Sequence, residues 1–164
     1  MSETDEGWRR VLSAFDEWIY YEGSEFMPWT GYFTMEGLQS LTHQERLGWL
    51  HNMIDEVIPG RVEKCREAGV ALEDFLPFMP HGEATETVRS MIDLNVTIQD
   101  LMLQMSDTLS SMYDDYKSEG LDEVAIHLES LATIEEDIRH HMSLYSKGFG
   151  KLKSIGLEMP DDFQ

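Results

Sequence analysis

Glu135, Glu136, Asp137, His140 and His141 fall within seven residues, in the stretch LESLATIEEDIRHHM from Leu128 to Met142. Carboxylates and imidazoles ligate iron, manganese and zinc, and they also serve as general acids and bases. Their density raises the question of a metal or proton-transfer site. The helical period, about 100° per residue, separates them. Glu135 takes the place between Leu131 and Ile138 on an apolar row and points inward. Glu136, Asp137 and His140 turn to solvent, and His141 joins His127, Ile134 and Tyr145 on one flank of the row. Further upstream, His51 lies at the edge of a face made by Leu47, Leu50, Ile54, Ile58 and Cys65. Asp55 follows one turn later, where a His51–Asp55 pair is sterically natural. Asn95 interrupts a third apolar row, between Met91 and Ile98. The plain alternatives are a hydrogen-bonded interfacial histidine at His51, a register-setting amide at Asn95 and a solvated pair at Glu136 and His140. Glu135 is harder to dismiss, because a buried carboxylate must stay protonated or find a partner.

Four helical blocks must position these side chains. The first, about Glu6 to Glu22, carries Trp8, Val11, Leu12, Phe15, Trp18 and Ile19 at helical spacing, and Gly23 and Ser24 are expected to stop it. A long ordered aromatic loop follows, with Pro28, Gly31 and Gly37 among Phe26, Trp29, Tyr32 and Phe33. Thr42 and Glu45 have the spacing of a capping box, opening a second helix that runs to about Ala68, is kinked at Pro59 and is closed by Gly69. The third block, about Glu83 to Lys117, sets Met91, Asn95, Ile98, Met102, Met105, Leu109, Met112 and Tyr116 at alternating spacings of three and four. The fourth, about Asp122 to Lys153, does the same with Val124, Leu128, Leu131, Glu135, Ile138, Met142, Tyr145, Phe149 and Leu152. The short SEGLD break predicts an antiparallel hairpin between these two. Four facing stripes make an all-α four-helix bundle the expected fold, as a single domain over 1–164, with a flexible N-terminus at 1–6 and a C-terminal tail at 157–164.

Composition limits the partners. There are 32 acidic against 12 basic residues, a formal charge of −20, which repels nucleic acid backbones and anionic membranes. Partners are expected instead among basic or apolar protein surfaces, including a second copy of the chain. The single cysteine, Cys65, allows no intramolecular disulfide framework, and no apolar run spans a bilayer, so a cytoplasmic location is expected. There is no phosphate-binding glycine loop and no dinucleotide fingerprint.

The second half resembles the ferritin-like superfamily, bacterioferritins in particular. CREAGVALEDF, from Cys65, is similar to the end of that family's second helix and the start of its long crossover. GEATETVRSMIDLN, from Gly82, is similar to its third helix, and EGLDEVAIHLESLATIEED, from Glu119, to its last turn and fourth helix. The resemblance implies a di-iron centre of one Glu from each of two helices and a Glu-x-x-His pair from each of the others. Carried over, Glu135 matches the fourth-helix Glu, but Ile138 takes the place of its His. Asn95 replaces the third-helix Glu, and Met53 and Glu56 stand where the second-helix pair belongs. What remains is a degenerate set: His51, Asp55, Glu56 and Glu135, flanked by His127 and His141, able to hold one iron, manganese or zinc.

Three functions follow as expectations. The first is a ferritin-like bundle without a complete di-iron site, acting as a binding or scaffold protein. The second is a metal-dependent or redox enzyme using the His and carboxylate set. The third is an acidic interaction module, an inhibitor or polyanion mimic, with an apolar contact at Trp29 to Phe33.

Overall fold

A computed structural model describes residues 3–79 and 82–156, which are helical throughout apart from short turns, with no strand among the described residues. Six α-helices occur in the order α1 (Glu3–Tyr21), α2 (Met35–Gln39), α3 (His43–Asn52), α4 (Ile58–Phe75), α5 (Glu83–Glu119) and α6 (Ala125–Ser154). Helices α3 and α4 are one rod, joined by a π-helical turn at Met53–Val57 in which the Ile58 amide reaches back to the Met53 carbonyl. With α1, α5 and α6 this rod makes four long elements. The expected tail at 157–164 and residues 1–2 lie outside the described residues. No helix among the described residues is long and apolar enough to cross a membrane.

The contacts set the direction of each element. Along the α3–α4 rod, His51, Arg61 and Cys65 meet Tyr113, Met105 and Asn95 in turn, so the rod is antiparallel to α5. Glu22 meets Arg61 and Glu17 meets Lys64, which sets α1 antiparallel to the rod. A tight turn at Gly120, whose φ of +91° suits glycine, reverses α5 into α6. The result is an up-down-up-down four-helix bundle. The α4–α5 connection is only residues 76–82, too short to return along the bundle, so the long crossover implied by the resemblance does not form.

The methionine row packs as expected. Met91, Ile98, Met102, Met105, Leu109 and Met112 are buried on α5, facing Leu128, Leu131, Ile138, Tyr145, Phe149 and Leu152 of α6. Burying each such side chain is worth about 1.5–3 kcal/mol relative to exposure. Aromatic rings weld α1 to the rest: Trp8 lies 5.4 Å from Phe75, Phe15 4.6 Å from Phe149 and Trp18 5.4 Å from Tyr145.

Three local expectations are corrected. Gly23 and Ser24 do not end the first helix. The chain continues through a π turn, Glu22–Phe26, with Ser24 Oγ bonded back to the Tyr20 carbonyl at 2.7 Å. The aromatic segment is a series of helical turns, with a 3-10 helix at Met27–Tyr32 and then α2. Phe26 and Phe33 are buried, and Phe33 and Tyr32 meet Trp49 edge-on. Gly69 does not close the second helix, which runs on to Phe75. A methyl group on Gly69 would stand 2.5 Å from Asn95 Oδ1, so this glycine is the gap that admits the Asn95 amide. The Thr42–Glu45 capping box forms as predicted.

Candidate functional site

At mid-bundle, the polar group at the centre of the interior is Arg61, a fully buried guanidinium on α4. Its five N–H groups all find acceptors. Nε and Nη2 donate to Glu22 Oε2 and Oε1, both at 2.7 Å. Nη1 and Nη2 donate to Glu135 Oε2 and Oε1 at 2.9 and 3.2 Å, and Nη1 also faces Met105 Sδ at 3.8 Å. The Phe26 ring covers the guanidinium carbon at 3.7 Å, a cation–π contact in a desolvated place. Glu135 Oε1 accepts a further bond at 2.9 Å from Arg139 Nε, one turn on along α6. Two arginines and two glutamates thus form a neutral network that joins the π turn after α1 to α4 and α6.

The local structure places each member. Glu22 opens the π turn, whose extra residue per turn carries the chain past Gly23 while Glu22 stays on the core side with 5% exposure. Arg61 lies three residues after Ile58 and four before Cys65, both buried, so it occupies a core position of α4. Burial pulls the Arg61 pKa down, but the hydrogen bonds and charge of Glu22, with those of Glu135, outweigh it, and the net direction is upward. The guanidinium therefore stays charged.

The predicted site residues take separate partners. Glu135 faces the interior, as expected, against Arg61. His51 and Asp55 are exposed, with His51 Nδ1 3.7 Å from Asp55 Oδ2 and Nε2 3.0 Å from the Tyr113 hydroxyl of α5. His51 is ten residues before Arg61 on the same rod, roughly 15 Å along its axis. Glu56 is exposed on the π turn, beside the buried Met53 and Val57. His127 Nε2 meets Asp115 Oδ2 at 2.6 Å near the α5–α6 turn, and His141 Nδ1 donates to the Asp137 carbonyl at 2.7 Å. Among the described residues, no three His, Cys, Asp or Glu side chains group as metal ligands. Nor does the interior fit a di-iron pair. All four oxygens of Glu22 and Glu135 accept guanidinium bonds, and Arg61 supplies the compensating charge from the chain itself.

Asn95 is buried one layer away. Nδ2 donates to the Cys65 carbonyl at 2.9 Å, and Oδ1 accepts from Gln99 at 2.7 Å. Burial pushes the Cys65 thiol up, away from the range of a reactive thiolate. The Tyr145 phenol is pushed up for the same reason, and its hydroxyl has no hydrogen bond of good geometry among the described residues.

Sequence reasoning missed Arg61, Glu22 and His43, whose Nδ1 lies 2.6 Å from the Tyr116 hydroxyl. The signal for Arg61 was its place in the three-four spacing of Ile58 and Cys65, and for Glu22 its place four residues beyond Trp18.

Fold and centre together define an all-α, up-down-up-down bundle around a buried, self-neutralised ion cluster. Comparison with protein families, curated proteins and solved structures finds no match to this chain.

Proposed function

We propose that this protein is a helical-bundle binding or scaffold protein, akin to the ferritin-like bundles in the pattern of its second half but lacking a complete di-iron site. The observation that carries this reading is the Arg61 guanidinium held between Glu22 and Glu135 at 2.7–3.2 Å. It puts a fixed cation of the chain at the level where Glu135 would otherwise be free to ligate. A cluster closed on itself in this way offers neither an open coordination position nor a free base, and both are requirements of catalysis by such a site. Its contribution is to lock α1, α4 and α6 in one register, leaving the outer helix faces as the working surface.

Metal analysis of the purified, dialysed protein tests this, together with thermal melts in Fe²⁺, Mn²⁺ and Zn²⁺. A specific ion at a hundred times its Kd would stabilise the fold by about 2.7 kcal/mol. The expected result is no stoichiometric metal and an unshifted Tm. Near-stoichiometric retention of one ion, or a Tm rise lost in Glu135→Leu, overturns the reading.

A further inference from the structure

An apolar-walled concavity lies on the outside of the bundle, between the C-terminal end of α1 and the start of α4. It is about 600 Å³ and is walled by Ile19, Tyr20 and Tyr21. Tyr20 is 73% exposed and Ile19 42%, so the two present adjacent apolar surface on the outside of the bundle. Carboxylates rim it: Asp16 and Glu17 from α1 and Glu25 from the π turn. Lys64 is its sole base among the described residues, and that charge is already shared between Glu17 at 3.7 Å and Glu67 at 3.8 Å. Asp16 and Glu25 have no ion-pair partner among the described residues. The floor is firm, because the Tyr21 hydroxyl donates to the Val57 carbonyl at 2.8 Å. The Tyr21 phenol is raised by its burial and then by Glu25, Glu22 and Glu56, which marks this as negative ground.

An exposed aromatic face beside unpaired carboxylates is the chemistry that receives a guanidinium, with its flat cation over the ring, its stem on the apolar wall and its N–H groups toward the acids. An acidic or neutral apolar segment would leave Asp16 and Glu25 uncompensated, and a second copy of a chain of charge −20 would bring like charge to the same place. We propose that the α1–α4 concavity docks a basic, arginine-containing segment of a partner protein, with Tyr20 as the stacking platform and Asp16, Glu17 and Glu25 as the charge complement. The proposal rests on the binding reading above and gives it a partner class. It also moves the contact surface away from Trp29 to Phe33, whose rings pack largely inward.

The test is fluorescence anisotropy of the full chain, in chelator, with a labelled peptide of alternating arginine and leucine and a matched peptide of glutamate and leucine. The arginine peptide should bind and the glutamate peptide should not. Tyr20→Ala should weaken binding about fivefold, as loss of an exposed cation–π contact predicts. The pair Asp16→Asn with Glu25→Gln should weaken it about tenfold and flatten its salt dependence. The pair Asp107→Asn with Glu129→Gln, on the far α5–α6 face, should leave it within about twofold. All five positions are exposed, and thermal melts check that each variant remains folded. Equal losses in the near and far pairs, or no loss in Tyr20→Ala, overturn the assignment of this surface and leave the metal-free reading standing. Binding that appears only when chelator is replaced by metal overturns both.

Discussion

Arg61 Nη1 donates to Glu135 Oε2 at 2.9 Å, joining α4 to α6 through the interior, while the other edge of the same guanidinium holds Glu22. Removing one member leaves uncompensated charge in a dry place. Arg61→Met is expected to cost about 3–5 kcal/mol, whereas Arg61→Met combined with Glu22→Leu and Glu135→Leu should recover most of that loss or exceed the native stability. Urea denaturation of the native chain and the two variants checks the order. A triple variant no more stable than Arg61→Met would mean that uncompensated charge is not the source of the Arg61→Met loss.

Close packing of α4 on α5 depends on Gly69 and Asn95. Gly69→Ala sets a methyl group 2.5 Å from Asn95 Oδ1, and overpacking of this kind costs about 1–3 kcal/mol. Asn95→Ala removes the obstacle but leaves the Cys65 carbonyl without its side-chain donor and the Gln99 amide without its acceptor. The double variant should therefore be more stable than the sum of the two single losses predicts. Strict additivity in a double-mutant cycle would show that the two positions are independent.

Much of this was legible in the sequence, and the limits are physical. The α5 and α6 rows could be read because bulky residues at three-four spacing admit one buried face, and Glu135 was placed inward by the same rule. Helix ends differ from expectation at Gly23, where a π turn carries the helical path onward, and at Gly69, since a glycine that makes room for a neighbouring helix resembles one that stops its own. Arg61 was passed over because a basic residue on an apolar row looks like an interruption until its two carboxylates, 39 and 74 residues away, are brought to it. The His51, Asp55 and Glu135 grouping failed for another reason: angular position on a helix is periodic in sequence, but axial level across a bundle depends on how the helices slide past one another.

Alkaline pH should loosen the fold. Burial raises the Cys65 thiol above its ordinary 9.0 and the Tyr145 and Tyr21 phenols above 10.0. The folded chain keeps these protons where the unfolded chain releases them, so the stability they contribute is full below about pH 9 and is lost as pH climbs beyond it. Melting from about pH 8 to about pH 11 should show Tm falling, with a shallower fall in Tyr145→Phe. That variant also removes a buried hydroxyl without a good partner, so at neutral pH it should be neutral or up to about 1 kcal/mol more stable. An unchanged alkaline slope in Tyr145→Phe would exclude this phenol as a source of the effect.

The opposite pH dependence belongs to the start of α3. The Thr42 amide donates to Glu45 Oε1 at 2.9 Å, and Thr42 Oγ1 accepts from the Glu45 amide at 3.2 Å. The Thr42 backbone bond, then its side chain, holds the Glu45 carboxyl below its ordinary 4.5. Its folded pKa is depressed, so its contribution is present above pH 4.5 and is lost as pH falls through the folded value. Thr42→Ala should cost about 1 kcal/mol at neutral pH. Glu45→Gln should be less stable than the native chain at neutral pH, and the two should converge as the carboxyl protonates. Urea midpoints measured from neutral to acid pH would show this. A gap between them that stays constant below the folded pKa would mean that the box stabilises α3 by shape alone, with no part played by the charge on Glu45.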